Sequence, residues 1–209
     1  LLYTEMIVSE AINRGDKKKL LEFNIEEKPV ALQVGGSSPK LLAEAAKVGE
    51  EFGYDEINLN LGCPSKKVQK NKFGACLMQE PDLVAKCIEA MSKSTKLPIT
   101  IKTRIGYNEV ENFEFLKSFI QTTKDAGSQK FIIHARKALL KKLSPKENLN
   151  IPPLKYEFVY KLKEHFKNDE IIINGGIKTT EDIKNHLLKV DGAMIGRAIY
   201  HSPYFLADI

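Results

Sequence analysis

The chain reads as an α/β protein of the parallel (β/α)8 TIM-barrel type. Seven short apolar strand candidates recur at residues 2–6, 30–35, 56–61, 99–104, 130–135, 170–174 and 192–195, and helix-like stretches separate them. Most of the strands are too continuously apolar for a sheet with one wet face, as in Ile171-Ile172-Ile173 and Phe131-Ile132-Ile133. No G-x-G-x-x-G follows a strand, which weighs against an open dinucleotide-binding sheet. Seven units are visible where a barrel needs eight, at a typical length of about 250 residues. The chain opens on Leu1, not Met, so a fragment lacking one upstream strand unit is expected.

The helices follow from their punctuation. Ser38-Pro39 opens residues 40–52, with Leu41, Leu42, Ala45 and Val48 on one face and Gly53 closing it. Residues 82–92 follow Pro81 and carry Leu83, Val84, Cys87, Ile88 and Met91 in register. Residues 111–126 present Phe115, Phe119 and Ile120 and stop at Gly127. Residues 156–166 present Phe158, Val159, Leu162 and Phe166, and residues 180–188 start at a Thr cap with Asp182 in the first turn. Residues 56–61 alternate Ile57, Leu59 and Leu61 with Asn58 and Asn60, which predicts a half-buried strand ended by Gly62. Residues 137–153 form the single long connection, and connections of that length tend to be functional.

The 209 residues suffice for one large domain. Three cysteines with no C-x-x-C pair speak against a zinc site or a disulfide framework and point to a reducing, cytoplasmic setting. No apolar run approaches membrane-spanning length, and no signal segment opens the chain. The net charge of +5 is carried mainly by Lys, in clusters at Lys17 to Lys19, Lys66-Lys67, Lys70, Lys72, Arg136-Lys137 and Lys141-Lys142. Such clusters usually form solvated surface, but two of these directly follow strand ends, the side on which a barrel builds its site.

Polar residues gather at those ends: Gln33, Asn58, Asn60, Cys63, Lys102, Arg104, His134, Arg136, Asn174 with Gly175-Gly176, and Gly196-Arg197. Singly, each has an ordinary structural role open to it; together they predict one pocket. Cys76 and Cys87 read as buried hydrophobes, whereas Gly62 and Pro64 place Cys63 on a tight loop. An unassisted thiol there is mostly protonated at neutral pH and can donate a proton. The turns at 174–176 and 196–197 follow the last two strands, where barrels bind phosphate with backbone N–H groups at a helix start, and Arg197 can add a fork. Lys102, among apolar wall residues, is either a Schiff-base nucleophile or a fixed positive charge beside an anion. Lys102, His134 and a phosphate grip suit a flavin mononucleotide, whose anionic reduced ring needs cationic neighbours.

Six motifs stand out: Asn58-Leu-Asn-Leu-Gly-Cys-Pro-Ser65, Phe73-Gly-Ala-Cys-Leu-Met78, Ile101-Lys-Thr-Arg-Ile-Gly106, Ile133-His-Ala-Arg-Lys137, Leu143-Ser-Pro-Lys-Glu-Asn148 and Ile173-Asn-Gly-Gly-Ile177. Together they resemble the tRNA-dihydrouridine synthases, in particular the bacterial A branch. The resemblance implies one flavin-binding catalytic barrel domain over residues 1–209. Its implied activity is FMN-dependent reduction of the C5–C6 bond of a D-loop uridine of tRNA, position 20 or 20a, with NADPH as reductant and no metal. It implies that Cys63 is the proton donor. Gln33, Lys102, His134, Asn174, Gly175, Gly176, Gly196 and Arg197 would hold the flavin. Asn60, Lys146 and Glu147 would face the tRNA, with Arg136 near the pocket. The family's first strand and its C-terminal helical domain lie outside the chain. Asn71 stands where the branch usually has Gly, and Asn is the side chain best suited to left-handed backbone there. Leu139 and Leu149 replace the usual Trp and Arg.

Three other functions remain open on the residues: a flavin-dependent reductase of free pyrimidines, an aldolase using Lys102, and a non-catalytic tRNA-binding remnant. The basic stretch 66–72 speaks against the first, since a free base needs no polyanion contacts.

Overall fold

The computed structural model describes residues 1–140 and 142–209, so Lys141 of the basic pair Lys141-Lys142 lies outside the described residues. The sheet is parallel throughout. β1 (Leu2–Tyr3) and β2 (Ile7–Val8) both pair with β3 (Val30–Gly35), Leu2 opposite Val30 and Ile7 opposite Val34. They are two halves of one strand position, not the continuous strand expected over residues 2–6. The interruption has a local cause: the Gln33 N–H bonds the Thr4 side-chain oxygen at 3.0 Å in place of a backbone carbonyl. β4 (Glu56–Leu61), β5 (Ile99–Arg104), β6 (Lys130–His134), β7 (Glu170–Asn174) and β8 (Gly192–Met194) follow in sequence order, each beside the last. The result is a curled sheet of seven strand positions, a partial TIM barrel, in which all carboxyl ends share one rim.

Helices cover the outer face: α1 (Ser9–Arg14), α2 (Lys17–Leu21), α3 (Pro39–Glu51), α5 (Pro81–Ser92), α6 (Phe113–Asp125), α7 (Tyr156–His165) and α8 (Thr180–Leu187), whereas the short α4 (Lys66–Lys70) and α9 (Arg197–His201) lie at the carboxyl rim. Their caps agree with the sequence signals. Ser38 accepts the Leu41 N–H in front of Pro39, and Thr179 with Asp182 closes a capping box on α8. The core lies between helices and sheet, where Leu32, Ile57, Leu59, Leu61, Phe119 and Phe131 are almost wholly buried. Each contributes about 2 kcal/mol by leaving water.

The half-buried reading of β4 is corrected. Every residue of β4 is buried, and Asn58 has no exposed surface at all. The alternation is real, but it separates two buried faces: Ile57, Leu59 and Leu61 meet the helices, while Glu56, Asn58 and Asn60 point into the barrel, where they hydrogen-bond one another's neighbours.

Candidate active site

The interior face of the sheet and the loops at its carboxyl rim enclose a cleft of about 1160 Å3. Cys63, Gln33, Asn60 and Lys102 line it on one side. His134, Asn174, Gly175, Gly176, Gly196 and Arg197 also line it. The parallel register explains this convergence: Gln33 sits opposite Asn58, Asn60 opposite Lys102, and His134 lies between Arg104 and Asn174. Arg136, Lys146 and Glu147 do not line the cleft.

The Cys63 turn is built by Asn60. Its Oδ1 accepts the N–H groups of Gly62 at 3.2 Å and Cys63 at 3.0 Å, and the Cys63 carbonyl accepts the Ala75 N–H at 3.0 Å. Gly74 holds φ +74°, and a Cβ there would lie 2.6 Å from the Cys63 carbonyl oxygen, so only glycine lets the returning chain close on the turn. Asn60 is therefore a cap for the cysteine as well as a cleft residue.

Arg104 organises the rim. Its Nε donates to the Gly62 carbonyl at 2.8 Å, and Nη1 donates to the carbonyls of Lys137 and Asn148 at 3.1 Å each. Gln69 on α4 adds a second tie, donating to the carbonyls of Pro64 and Leu140 at 2.8 Å. Asn148, wholly buried, braces the long loop from within through the backbone of Leu139, Leu143 and Ser144. Arg104 was visible as a strand-end cation, but its partners are backbone carbonyls on separate loops, which leave no mark in a sequence. Asn148 gave no signal beyond lying in a motif.

The electrostatics are one-sided. Burial draws the Arg104 guanidinium down to about 10, leaving it charged at neutral pH. Burial, with Arg104 adding to it, pulls the Lys102 ammonium down to about 8 although some solvent still reaches the residue from the cleft. Lys102 has no hydrogen-bond or ion-pair partner among the described residues. His134 corrects the expectation of a cation: burial, reinforced by Arg104, Lys102, Arg136 and Arg197, lowers its imidazole to about 2. It is a neutral donor and acceptor, and its buried Nδ1 has no hydrogen-bond partner among the described residues.

Two glycine turns close the far side. Gly175 and Gly176 hold φ +116° and +76°, and a Cβ on Gly176 would meet Leu154 at 2.6 Å. Only the second turn opens a helix directly, since α9 starts at Arg197; after 174–176 the chain runs on to α8, whose N-terminus is already capped by Thr179 and Asp182. A Cβ on Gly196 would meet nothing within 4 Å, so open space lies beside that backbone. Arg197 donates to Asn150 Oδ1 at 3.0 Å and to the Leu149 carbonyl at 3.5 Å, linking this turn to the long loop.

The remaining expectations divide. Glu147 caps its own turn, accepting the Ser144 N–H at 2.7 Å while Ser144 Oγ accepts the Glu147 N–H; hydrogen bonding from the Ser144 hydroxyl and N–H to the carboxylate holds it below the usual range. Lys146 is exposed on the same loop. Arg136 donates to the Pro152 carbonyl, and its neighbour Lys137 is not a free charge, because it shares the Glu111 carboxylate with Lys155 at 3.1 and 3.2 Å. By contrast Lys66, Lys67, Lys70 and Lys72 are exposed and have no ion-pair partner among the described residues. The left-handed residue of their turn is Lys72, at φ +55°, while Asn71 sits at φ −93° and bonds the Lys67 carbonyl. Cys87 is buried as expected, and Cys76 is half-buried.

A parallel half-barrel whose carboxyl rim carries a loop cysteine, an unpartnered lysine and two glycine turns has the layout of a barrel-type enzyme site. The chain belongs to the dihydrouridine synthase family, whose model matches residues 1–209. It is 56% identical over 209 residues to the tRNA-dihydrouridine(20/20a) synthase of Synechocystis sp. and covers 63% of that protein. It is 54% identical over 212 residues to the tRNA-dihydrouridine(20/20a) synthase of Vibrio cholerae, covering 64% of it, and 54% identical over 211 residues to that of Shewanella oneidensis, covering 62%. In each case 100% of this chain is aligned. The chain thus spans a little under two thirds of the length of the curated relatives it matches.

Proposed function

We propose that this chain is the catalytic barrel of an enzyme that reduces the C5–C6 bond of a D-loop uridine in tRNA to dihydrouridine, acting in the cytoplasm. No helix among the described residues is long and apolar enough to cross a membrane. The observation that carries the reading is the shared cleft: a thiol on a capped turn, the Lys102 ammonium, the His134 imidazole and two glycine turns line the same cavity.

The residues fit a flavin mononucleotide. The orphaned His134 Nδ1 and the unpartnered Lys102 ammonium await polar partners, and the open space at Gly196, beside Arg197, admits a phosphate against backbone. Gln33, Asn174, Gly175 and Gly176 complete the holding set. A flavin held there and reduced by NADPH would supply the hydride. The protein supplies the proton: Cys63 donates from Sγ to C5 of the uracil as C6 is reduced, and Asn60 fixes the thiol's turn. Lys102 balances negative charge in the cleft. Exposed Lys66, Lys67, Lys70 and Lys72 directly after Cys63 suit tRNA phosphates, and Lys146 with Arg136 extends the basic rim. A uridine reaches such a cleft only by leaving its stack.

The test is an absorption spectrum of the full-length protein, mass analysis of the cofactor released by heat, and mass analysis of uridine in tRNA after incubation with NADPH. Flavin mononucleotide and a mass gain of two hydrogens are expected. A colourless protein that cannot be reconstituted overturns the reading. One observation favours a second reading: an unpartnered lysine drawn down to about 8 suits a Schiff base. Borohydride trapping of a carbonyl substrate on Lys102, in protein without flavin, would establish that aldolase reading instead.

A further inference from the structure

Five side chains on three neighbouring strands form an unbroken hydrogen-bond chain that ends on the Cys63 turn. Asn60 Nδ2 donates to Gln33 Oε1 at 2.8 Å, and Gln33 Nε2 donates to Asn58 Oδ1 at 2.9 Å. Asn58 Nδ2 donates to Thr100 Oγ1 at 2.8 Å, and Thr100 donates to Glu56 Oε1 at 2.6 Å. Glu56 also accepts from the Tyr3 hydroxyl at 2.9 Å and the Lys130 ammonium at 2.8 Å.

The direction of this chain is determined at both ends. The backbone N–H groups of Gly62 and Cys63 only donate, so Asn60 must turn its oxygen to them and its nitrogen to Gln33. A carboxylate only accepts, so Thr100 must donate to Glu56 and accept from Asn58. Every intermediate amide is then oriented without conflict. Each of the three amides keeps one undonated hydrogen, and those of Gln33 Nε2 and Asn60 Nδ2 belong to residues that line the cleft. Glu56, Asn58 and Thr100 do not line it.

We propose that Glu56, Asn58 and Thr100 are positioning residues that set, from the barrel interior, the orientation of the Gln33 and Asn60 amides and thereby the geometry of the Cys63 turn. Reversing either amide would place N–H against N–H at Cys63 or oxygen against oxygen at Gln33, and the buried carboxylate is the anchor that forbids it. The role assigned to Cys63 rests on the function proposed above; the orientation itself does not.

The experiment compares Thr100→Val, which keeps the shape and loses the hydroxyl, with Thr100→Ser, which keeps the hydroxyl and loses a methyl. Amide hydrogen exchange is read residue by residue in the full-length protein without tRNA or NADPH. Thr100→Val is expected to speed exchange at Gly62 and Cys63 at least tenfold while the amides of β6 stay within twofold, and Thr100→Ser is expected to restore the wild-type rates. In the uridine assay Thr100→Val should lower kcat about tenfold with little change in KM for tRNA, again recovered in Thr100→Ser. Unchanged exchange at Gly62 and Cys63 in Thr100→Val overturns the proposal, as does equal acceleration across β6, or a Ser variant no better than Val. If Thr100→Val does not fold, Glu56→Gln carries the same exchange measurement with the same criteria. Absence of uridine reduction with the expected exchange pattern would count against the proposed function and leave the positioning chain standing.

Discussion

Arg104 and Gly62 are joined by a 2.8 Å hydrogen bond from guanidinium to carbonyl, one residue before the cysteine. The same guanidinium holds the carbonyls of Lys137 and Asn148, so the Cys63 turn and the long loop are parts of one assembly. Arg104→Met removes three charge-assisted bonds from a buried position, and a destabilisation of about 2–3 kcal/mol is expected in urea unfolding. Cys63 should also react faster with iodoacetamide. A variant with wild-type stability and wild-type alkylation rate would show that the bonds do not hold the turn.

Cys63→Ala leaves the groups assigned to the flavin untouched. Flavin content and tRNA affinity should match wild type, while uridine reduction falls about 10²- to 10⁴-fold, the usual worth of a positioned general acid. Near-normal turnover would remove Cys63 from the chemistry.

Lys102 loses its charge as pH rises through about 8. An anionic ligand prefers the ammonium, so flavin mononucleotide should bind the apo-protein most tightly below that pH and progressively less tightly above it. In Lys102→Met the affinity should be lower and flat from pH 7 to 9. A pH step of wild-type size in the variant would assign it to another group.

His134 titrates in the opposite sense for stability. Its native imidazole refuses a proton down to about pH 2, whereas the unfolded chain takes one near 6.5. Between these values the unfolded state binds more protons, so stability rises with pH and is lost on acidification below about 6.5. From pH 7 to 5 this one group accounts for about 2 kcal/mol. His134→Gln should lack that component of the acid loss, and parallel stability curves for variant and wild type would refute the assignment.

Lys72 and Asn71 give a paired backbone test. Lys72→Gly relieves left-handed strain and should leave stability within about 0.5 kcal/mol or raise it, because relief offsets the entropy of glycine. Asn71→Gly relieves nothing and loses the bond to the Lys67 carbonyl, so it should cost about 1 kcal/mol. Thermal unfolding of the two variants distinguishes them, and the reverse order would restore Asn71 as the strained position.

What was legible in the sequence followed period and punctuation. β3, β4, β5 and β7 ran to the residues expected, because buried parallel strands are apolar runs ended by polar or glycine residues. The short helices α1, α2, α4 and α9 carry too few residues to show an amphipathic period. The break after Tyr3 depends on Thr4 reaching the Gln33 N–H, which no periodicity reports. At the site, strand-end polarity located the cleft and the resemblance supplied roles, but the interior chain from Glu56 to Asn60 required knowing that Asn58 lies opposite both Gln33 and Thr100. The neutral state of His134 was hidden for the same reason, since it arises from burial in the closed sheet, reinforced by Arg104 and Lys102 of β5, Arg136 beyond its own strand and Arg197 beyond β8.

Lys137 and Lys155 grip one carboxylate, that of Glu111, from the two ends of the long loop. A segment fastened at both feet behaves as a handle, and Arg104, Gln69 and the buried Asn148 clamp its span to the rim through backbone groups. Leu139 and Leu149 fall on that span and enter these ties through their backbone groups alone. Their side chains can therefore change what the rim presents to solvent without loosening the clamps that hold the Cys63 turn.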